Sequence, residues 1–255
     1  MSEQSVAVVT GGGGDIGRAI CRRLASASWA VVVCDQDLEA ATDTVRLVER
    51  HGGIARAEQA DVTDDGQIRD MLDRTALHLG RIGALVNNVG IAGVVQPLPT
   101  YPEHVFDRVM RVNVYGVFLG MRAVLPRMLE AGAGAIVNTA STSAIRGRAN
   151  LAGYVASKHA VLGLTRVAAL ETVGTGVRVN AVLPGPIETR MVKALDEGTR
   201  AISPDPAGGA GVERATTAPY GHPDDVAATV AYLVSPEARH VNGAAWVVDG
   251  GSTLA

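Results

Sequence analysis

Tyr154-Val-Ala-Ser-Lys158 places a phenol and an ammonium at i and i+4, the spacing that brings two side chains onto one face of a helix. On a plain surface helix such a pair has no consequence. Here Ser141 lies 13 residues before Tyr154, just past a strand-like run at 135–139, and strand ends line the ligand crevice of open α/β sheets. Serine hydroxyl, phenol and ammonium together suit a reaction that moves a proton on or off a substrate oxygen while a hydride moves at the adjoining carbon. A free tyrosine, with a pKa of ~10, ionises too weakly for this near neutrality. A neighbouring Lys158 cation and an oxidised, positively charged redox partner are expected to lower it.

The other chemistry-bearing segment is Thr10-Gly-Gly-Gly-Gly-Asp-Ile-Gly17, which follows a β-branched run and opens a helical pattern. Gly11, Gly14 and Gly17 let backbone N–H groups of the loop approach a pyrophosphate, and the helix start adds a favourable dipole. Asp35 ends the next β-branched run, 18 residues after Gly17. A carboxylate there accepts hydrogen bonds from adenosine ribose hydroxyls and repels a 2′-phosphate. Asp37 is better placed to cap the following helix, which leaves Asp35 for the ribose. With no Arg or Lys at 12–14 or 36, the spacing predicts NAD rather than NADP.

The elements that must position these groups alternate along the chain. Strand runs at 6–10, 30–34, 54–60, 84–87, 135–139, 177–182 and 245–248 are separated by helical patterns near 16–27, 37–50, 64–79, 102–130, 152–173 and 223–234. That alternation predicts a Rossmann-type α/β fold, a doubly wound parallel sheet of about seven strands with helices on both faces. No linker or repeat divides residues 1–255, so one domain is expected. Residues 188–218 are the exception; the Pro- and Gly-rich run 203–211 excludes helix and central strand and suggests an irregular substrate-binding loop or lid.

Composition closes off other classes. Hydrophobic residues make up 47% and aromatics 4%, an Ala, Val, Leu and Ile mass suited to a buried parallel sheet. The net charge is −3 without a basic run, so nucleic acid and anionic membranes find no footprint. No apolar run reaches the ~18–20 residues of a membrane span. The start lacks a signal-peptide pattern, and Cys21 and Cys34 read as small buried hydrophobes in a reduced cytoplasm. The six histidines show no ligand spacing, so no metal site is expected.

Over essentially its full length the sequence resembles the short-chain dehydrogenase/reductase family, in its short single-domain branch. Thr10–Gly17 matches the cofactor loop, Asn87-Asn-Val-Gly90 the Asn-Asn-Ala-Gly segment, and Asn113 the helix asparagine of the active site. Ser141, Tyr154 and Lys158 match the catalytic trio at the family spacing, Pro184-Gly185 the turn beside the nicotinamide, and Asp249-Gly-Gly251 the C-terminal signature. The resemblance implies that Tyr154 is the general acid–base, that Ser141 polarises the substrate oxygen, and that Lys158 binds the nicotinamide ribose and lowers the Tyr154 pKa. It implies a water on Asn113 continuing the proton relay, and Asp61 and Val62 flanking the adenine. Asn88 and Gly90 should line the adenosine side, with Ile187 and Thr189 meeting the carboxamide and phosphates. Thr142 and Ser143 read as turn residues. Two positions depart from the pattern. Val89 replaces an alanine, and Asp15 replaces the loop's second glycine, where the expectation is that it caps the helix start rather than facing the phosphates.

The function implied is an NAD-dependent oxidoreductase acting on a small to medium secondary alcohol or ketone. Val94–Gln96, Ile145, Arg146, Asn150, Leu151, Pro186 and Met191 are the expected substrate walls, with Arg146 alone hinting at a polar or anionic substrate group. A 3-oxoacyl-thioester reductase is the alternative, and Asp35 argues against the NADPH it more often uses. Dehalogenating relatives lose the lysine retained here as Lys158. A non-catalytic NAD-binding regulator is the reading of another class; such members usually lose Tyr or Lys. Apolar residues around Val117–Met121 and on helix 152–173 suggest partner helices, and the resemblance implies a homotetramer.

Overall fold

The computed structural model describes residues 5–202 and 220–254. Among the described residues seven strands, β1 (Val6–Thr10), β2 (Ala30–Asp35), β3 (Ile54–Gln59), β4 (Ile82–Asn87), β5 (Gly134–Thr139), β6 (Val177–Pro184) and β7 (Ala245–Val248), form one sheet. All neighbours pair in parallel, in the order β3-β2-β1-β4-β5-β6-β7. The helices are α1 (Asp15–Ser26), α2 (Leu38–Glu49), α3 (Asp65–Leu79), α4 (Glu103–Met110), α5 (Gly116–Glu130), α6 (Ala152–Glu171), α7 (Arg190–Ile202) and α8 (Pro223–Val234).

Successive strand residues point to opposite faces, so apolar runs bury both. Ala7, Val9, Val31, Val33 and Val137 pack with Ile20 and Leu24 of α1 and Val230 and Leu233 of α8. Val8, Val32, Leu85, Ile136 and Leu183 pack with Leu72 of α3, Val124 of α5 and Val161 of α6. Cys21 belongs to the first layer and Cys34 to the second. Both are unpaired, and the sheet stands between them.

Register brings the strand ends level. Thr10 pairs with Cys34 and with Asn87, and Asn87 pairs with Asn138. The strand order reverses between β1 and β4, the switch point where ligands bind in open α/β sheets.

Two segments differ from the sequence expectation. The continuous helix expected over 102–130 is α4, a π-helical turn at Arg111–Tyr115, then α5. The segment 188–218 is not irregular throughout, because α7 occupies Arg190–Ile202; the run 203–211 lies outside the described residues. Among the described residues no helix is long and apolar enough to cross a membrane, and no His/Cys/Asp/Glu group could hold a metal.

Candidate active site

The carboxyl ends of β1, β2, β4, β5 and β6 open onto one cleft of ≈480 Å³. Gly11, Gly14, Asp15, Ile16 and Gly17 line it from the first turn, and Asp35, Asp61 and Val62 from the β2 and β3 side. Asn88, Gly90, Ser141, Tyr154, Lys158, Pro184, Gly185, Ile187 and Thr189 complete it. Asn113 stands behind the wall and is fully buried.

Gly11 takes φ +65°, and a Cβ on Gly17 would strike the Gly11 carbonyl, so the loop closes only with glycine at both. Gly14, not Asp15, is the N-cap of α1, and it has no side chain to satisfy the first-turn N–H groups. A helix start of this kind fits an anionic phosphate. Asp15 is the first helical residue. Its carboxylate turns to α7, accepting the Arg190 backbone N–H at 2.8 Å and Arg190 Nε at 3.1 Å. The cap expected of Asp15 is therefore corrected to a clasp onto α7.

Asp37 caps α2 as expected, accepting the N–H groups of Glu39 and Ala40. Asp35 accepts Asp37 N–H at 3.1 Å and Gly13 N–H at 3.0 Å, so it also steadies the glycine loop. Asp61 accepts Thr63 N–H at 2.8 Å. Asn88 donates to the Gly11 carbonyl and accepts from Thr139, joining the loop to β5. Val89 packs onto Gly11, 3.2 Å from where its Cβ would stand.

Ser141 follows β5 and accepts Ser143 N–H at 3.1 Å, so the turn at 142–144 orients its hydroxyl. Tyr154 and Lys158 share one face of α6, with Lys158 Nζ 5.6 Å from the phenol ring centroid. Lys158 Nζ donates to the Thr139 carbonyl at 2.8 Å, and burial pushes its pKa down to about 8. Burial pushes the Tyr154 phenol upward, against a hydrogen bond from Ser141 and the nearby Arg148 cation. The depression expected from Lys158 is thus absent in the protein alone, where desolvation of the phenolate dominates.

Asn113 sits in the π-helical turn, a form often found at functional sites. Its Oδ1 accepts Ile91 N–H at 2.8 Å, and its Nδ2 donates to the Ile91 carbonyl and to Ser157 Oγ. The side chain expected to hold a water thus ties the 88–91 loop to α6.

The substrate side departs most from expectation. Pro186 and Met191 line the cleft, joined by Ile91, Val192 and Leu195. Val95 and Leu151 pack behind, in a small apolar cluster around Tyr154 and Leu195. Arg146, the arginine expected on the substrate wall, instead donates to the Ser252 carbonyl at 3.0 Å, and Arg148 two residues on lines the cleft in its place. The sequence singles out Arg146, and it is Arg148, beyond one glycine, that reaches the cleft wall. It also conceals the buried chain beneath the site, where Asn87 donates to Asn138 at 2.8 Å and Asn138 to Thr165 at 2.9 Å.

A doubly wound sheet with an uncapped helix start, a carboxylate at the end of β2 and a Ser–Tyr–Lys group at the strand ends defines a dinucleotide-dependent oxidoreductase. A family model described as enoyl-(acyl carrier protein) reductase matches residues 13–253. Levodione reductase of Leifsonia aquatica is 38% identical over 253 residues, covering 98% of this chain and 94% of the relative. The structure of an actinorhodin polyketide ketoreductase with NADPH superposes with a TM-score of 0.92 at 34% identity, covering 99% of this chain and 98% of the other. That of an NAD+-bound xylitol dehydrogenase gives 0.91 at 31%, covering 98% and 100%. The chain belongs to the short-chain dehydrogenase/reductase family.

Proposed function

We propose that this protein transfers a hydride between NAD(H) and the carbon of a small to medium secondary alcohol or ketone, with Tyr154 as general acid–base. The observation that carries the reading is one cleft holding Ser141, Tyr154 and Lys158 at one end and Asp35 with an uncapped helix start at the other. When bound, the dinucleotide supplies or accepts the hydride. Backbone groups of Gly11, Gly14, Ile16 and Gly17 hold its pyrophosphate, and Asp35 its adenosine ribose. Asp61, Val62, Asn88 and Gly90 flank the adenosine. Lys158 binds the nicotinamide ribose, and Pro184, Gly185, Ile187 and Thr189 wall the nicotinamide.

Ser141 holds the substrate oxygen against Tyr154, which takes the hydroxyl proton in oxidation and returns it in reduction. Ile91, Met191, Val192 and Leu195 suit an apolar substrate body. The names of the levodione and xylitol enzymes agree with an alcohol or ketone. NAD is favoured over NADP because the Asp35 carboxylate, fixed by two backbone N–H groups, opposes a 2′-phosphate. A spectrophotometric screen of secondary alcohols with NAD+, and of ketones with NADH, tests the reading. Tight NADH binding without turnover on any of them would sink it.

We infer a homotetramer in the cytoplasm. Much of Val117–Met121 is buried in the protein's own core, which narrows the expected partner surface. Phe118 of α5 and Val167 and Leu170 of α6 stay exposed, and Gly163 faces open space. Large apolar groups left on two helices support a partner there. Light scattering that reports a monomer at micromolar concentration refutes the assembly.

A further inference from the structure

The loop between Ser141 and α6 carries two arginines, and it is fixed on both sides. At one end Arg146 donates to the Ser252 carbonyl at 3.0 Å. At the other, Asn150 turns the chain with φ +65° and its carbonyl accepts Gln96 N–H at 2.8 Å. Arg148 stands between these anchors, half-buried, on the wall of the cleft with Ser141, Tyr154, Met191 and Leu195. It is therefore not a surface arginine swinging in solvent.

The other cations of the cleft have their own surroundings. Lys158 is held by the Thr139 carbonyl and Arg190 by Asp15, while Arg108 is exposed. Arg148 makes no hydrogen bond or ion pair with another described residue. Asp196, the carboxylate among the described residues whose charge reaches Arg148, accepts the Tyr220 hydroxyl and lies beyond ion-pair contact with Arg148. A guanidinium offers five N–H donors in a planar fork matched to a carboxylate. A half-desolvated guanidinium with no acceptor among the described residues is costly, which is the situation a ligand group resolves.

We propose that Arg148 is a specificity residue, and that the substrate carries a carboxylate or similar anionic group a few bonds from the carbon that reacts at Tyr154. This rests on the dehydrogenase reading for the reacting end, but the anion subsite is separable from it. The apolar side chains Met191, Val192 and Leu195 line the same cleft.

The test compares each acid with its methyl ester, 4-acetylbenzoate and 4-oxopentanoate giving two reaches. Binding to the NAD+-saturated protein is measured by calorimetry, where a ketone cannot turn over. The wild type should bind at least one of the acids tenfold or more tighter than its ester, about 1.4 kcal/mol. Arg148→Gln should abolish that ratio, and Arg148→Lys should restore part of it. With NADH, the same ratio should appear in kcat/KM. Equal binding of acid and ester by the wild type overturns the proposal and leaves the dehydrogenase reading standing. A preference for acid that survives in Arg148→Gln overturns it as well. Preferred binding of the acid without turnover of any ketone retains the anion subsite and removes the dehydrogenase reading.

Discussion

The Asp15 carboxylate and Arg190 join the start of α1 to the start of α7, through the Arg190 backbone N–H at 2.8 Å and Nε, which both carboxylate oxygens share at 3.1 and 3.4 Å. Both residues line the cleft. Arg190 is largely exposed, and such ion pairs contribute ~0.2–1 kcal/mol. Asp15→Ala and Arg190→Ala should therefore leave the global melting temperature almost unchanged. Amide hydrogen exchange across residues 190–195 should quicken several-fold in each variant and no further in the double variant. Additive effects would show that the two residues act apart.

Tyr154→Phe keeps the buried ring and removes only the hydroxyl. Turnover should fall by the ~10²–10⁴-fold typical of lost general acid–base catalysis, while NADH still binds. Near-normal turnover of the variant eliminates Tyr154 as the proton donor.

For Asp35 the expected outcome is a ten- to hundredfold preference for NADH over NADPH in kcat/KM, the yield of about 1.5–3 kcal/mol from charged hydrogen bonds. Asp35→Ser should remove most of it. Because Asp35 also holds Gly13 N–H, NADH affinity should drop in the same variant. A wild type that uses NADPH as well as NADH contradicts the assignment.

Lys158 makes stability depend on pH in the cofactor-free protein. Its folded pKa of about 8 lies below the ordinary 10.5, so the unfolded chain binds the proton more tightly. Between those values stability rises with pH, and it is lost as pH falls toward 8. Urea melts of wild type and Lys158→Met should diverge in the wild type's favour by up to about 3 kcal/mol across that window. A difference that stays flat with pH would falsify the burial-driven shift.

The S141A variant reports on the phenol itself. Ser141 lowers a Tyr154 pKa that burial has raised. Removing the hydroxyl should move the acidic limb of kcat/KM for alcohol oxidation to higher pH, because the base form is then reached later. A limb that does not move places the limiting ionisation elsewhere.

Much of this protein is legible in one dimension because its signals are local. β-branched runs of strand length, separated by helical patterns, dictate a parallel sheet by burial alone, and the observed order adds only their lateral sequence. Asp37 reveals itself as a cap because a cap bonds residues two and three positions on. The Tyr154/Lys158 pairing follows from helical repeat, and Gly11 and Gly17 from a loop that must close on itself. What the sequence leaves open are contacts whose partners lie far along the chain. Asp15 looks like a cap until α7 brings Arg190 to it, 175 residues away. Arg146 looks like the substrate-side arginine on paper, and only the folded loop gives it to the Ser252 carbonyl and places Arg148 on the cleft wall. The Tyr154 pKa likewise depends on how deeply the finished fold buries the phenol. Desolvation is a property of everything packed around a group, and no spacing within the chain encodes it.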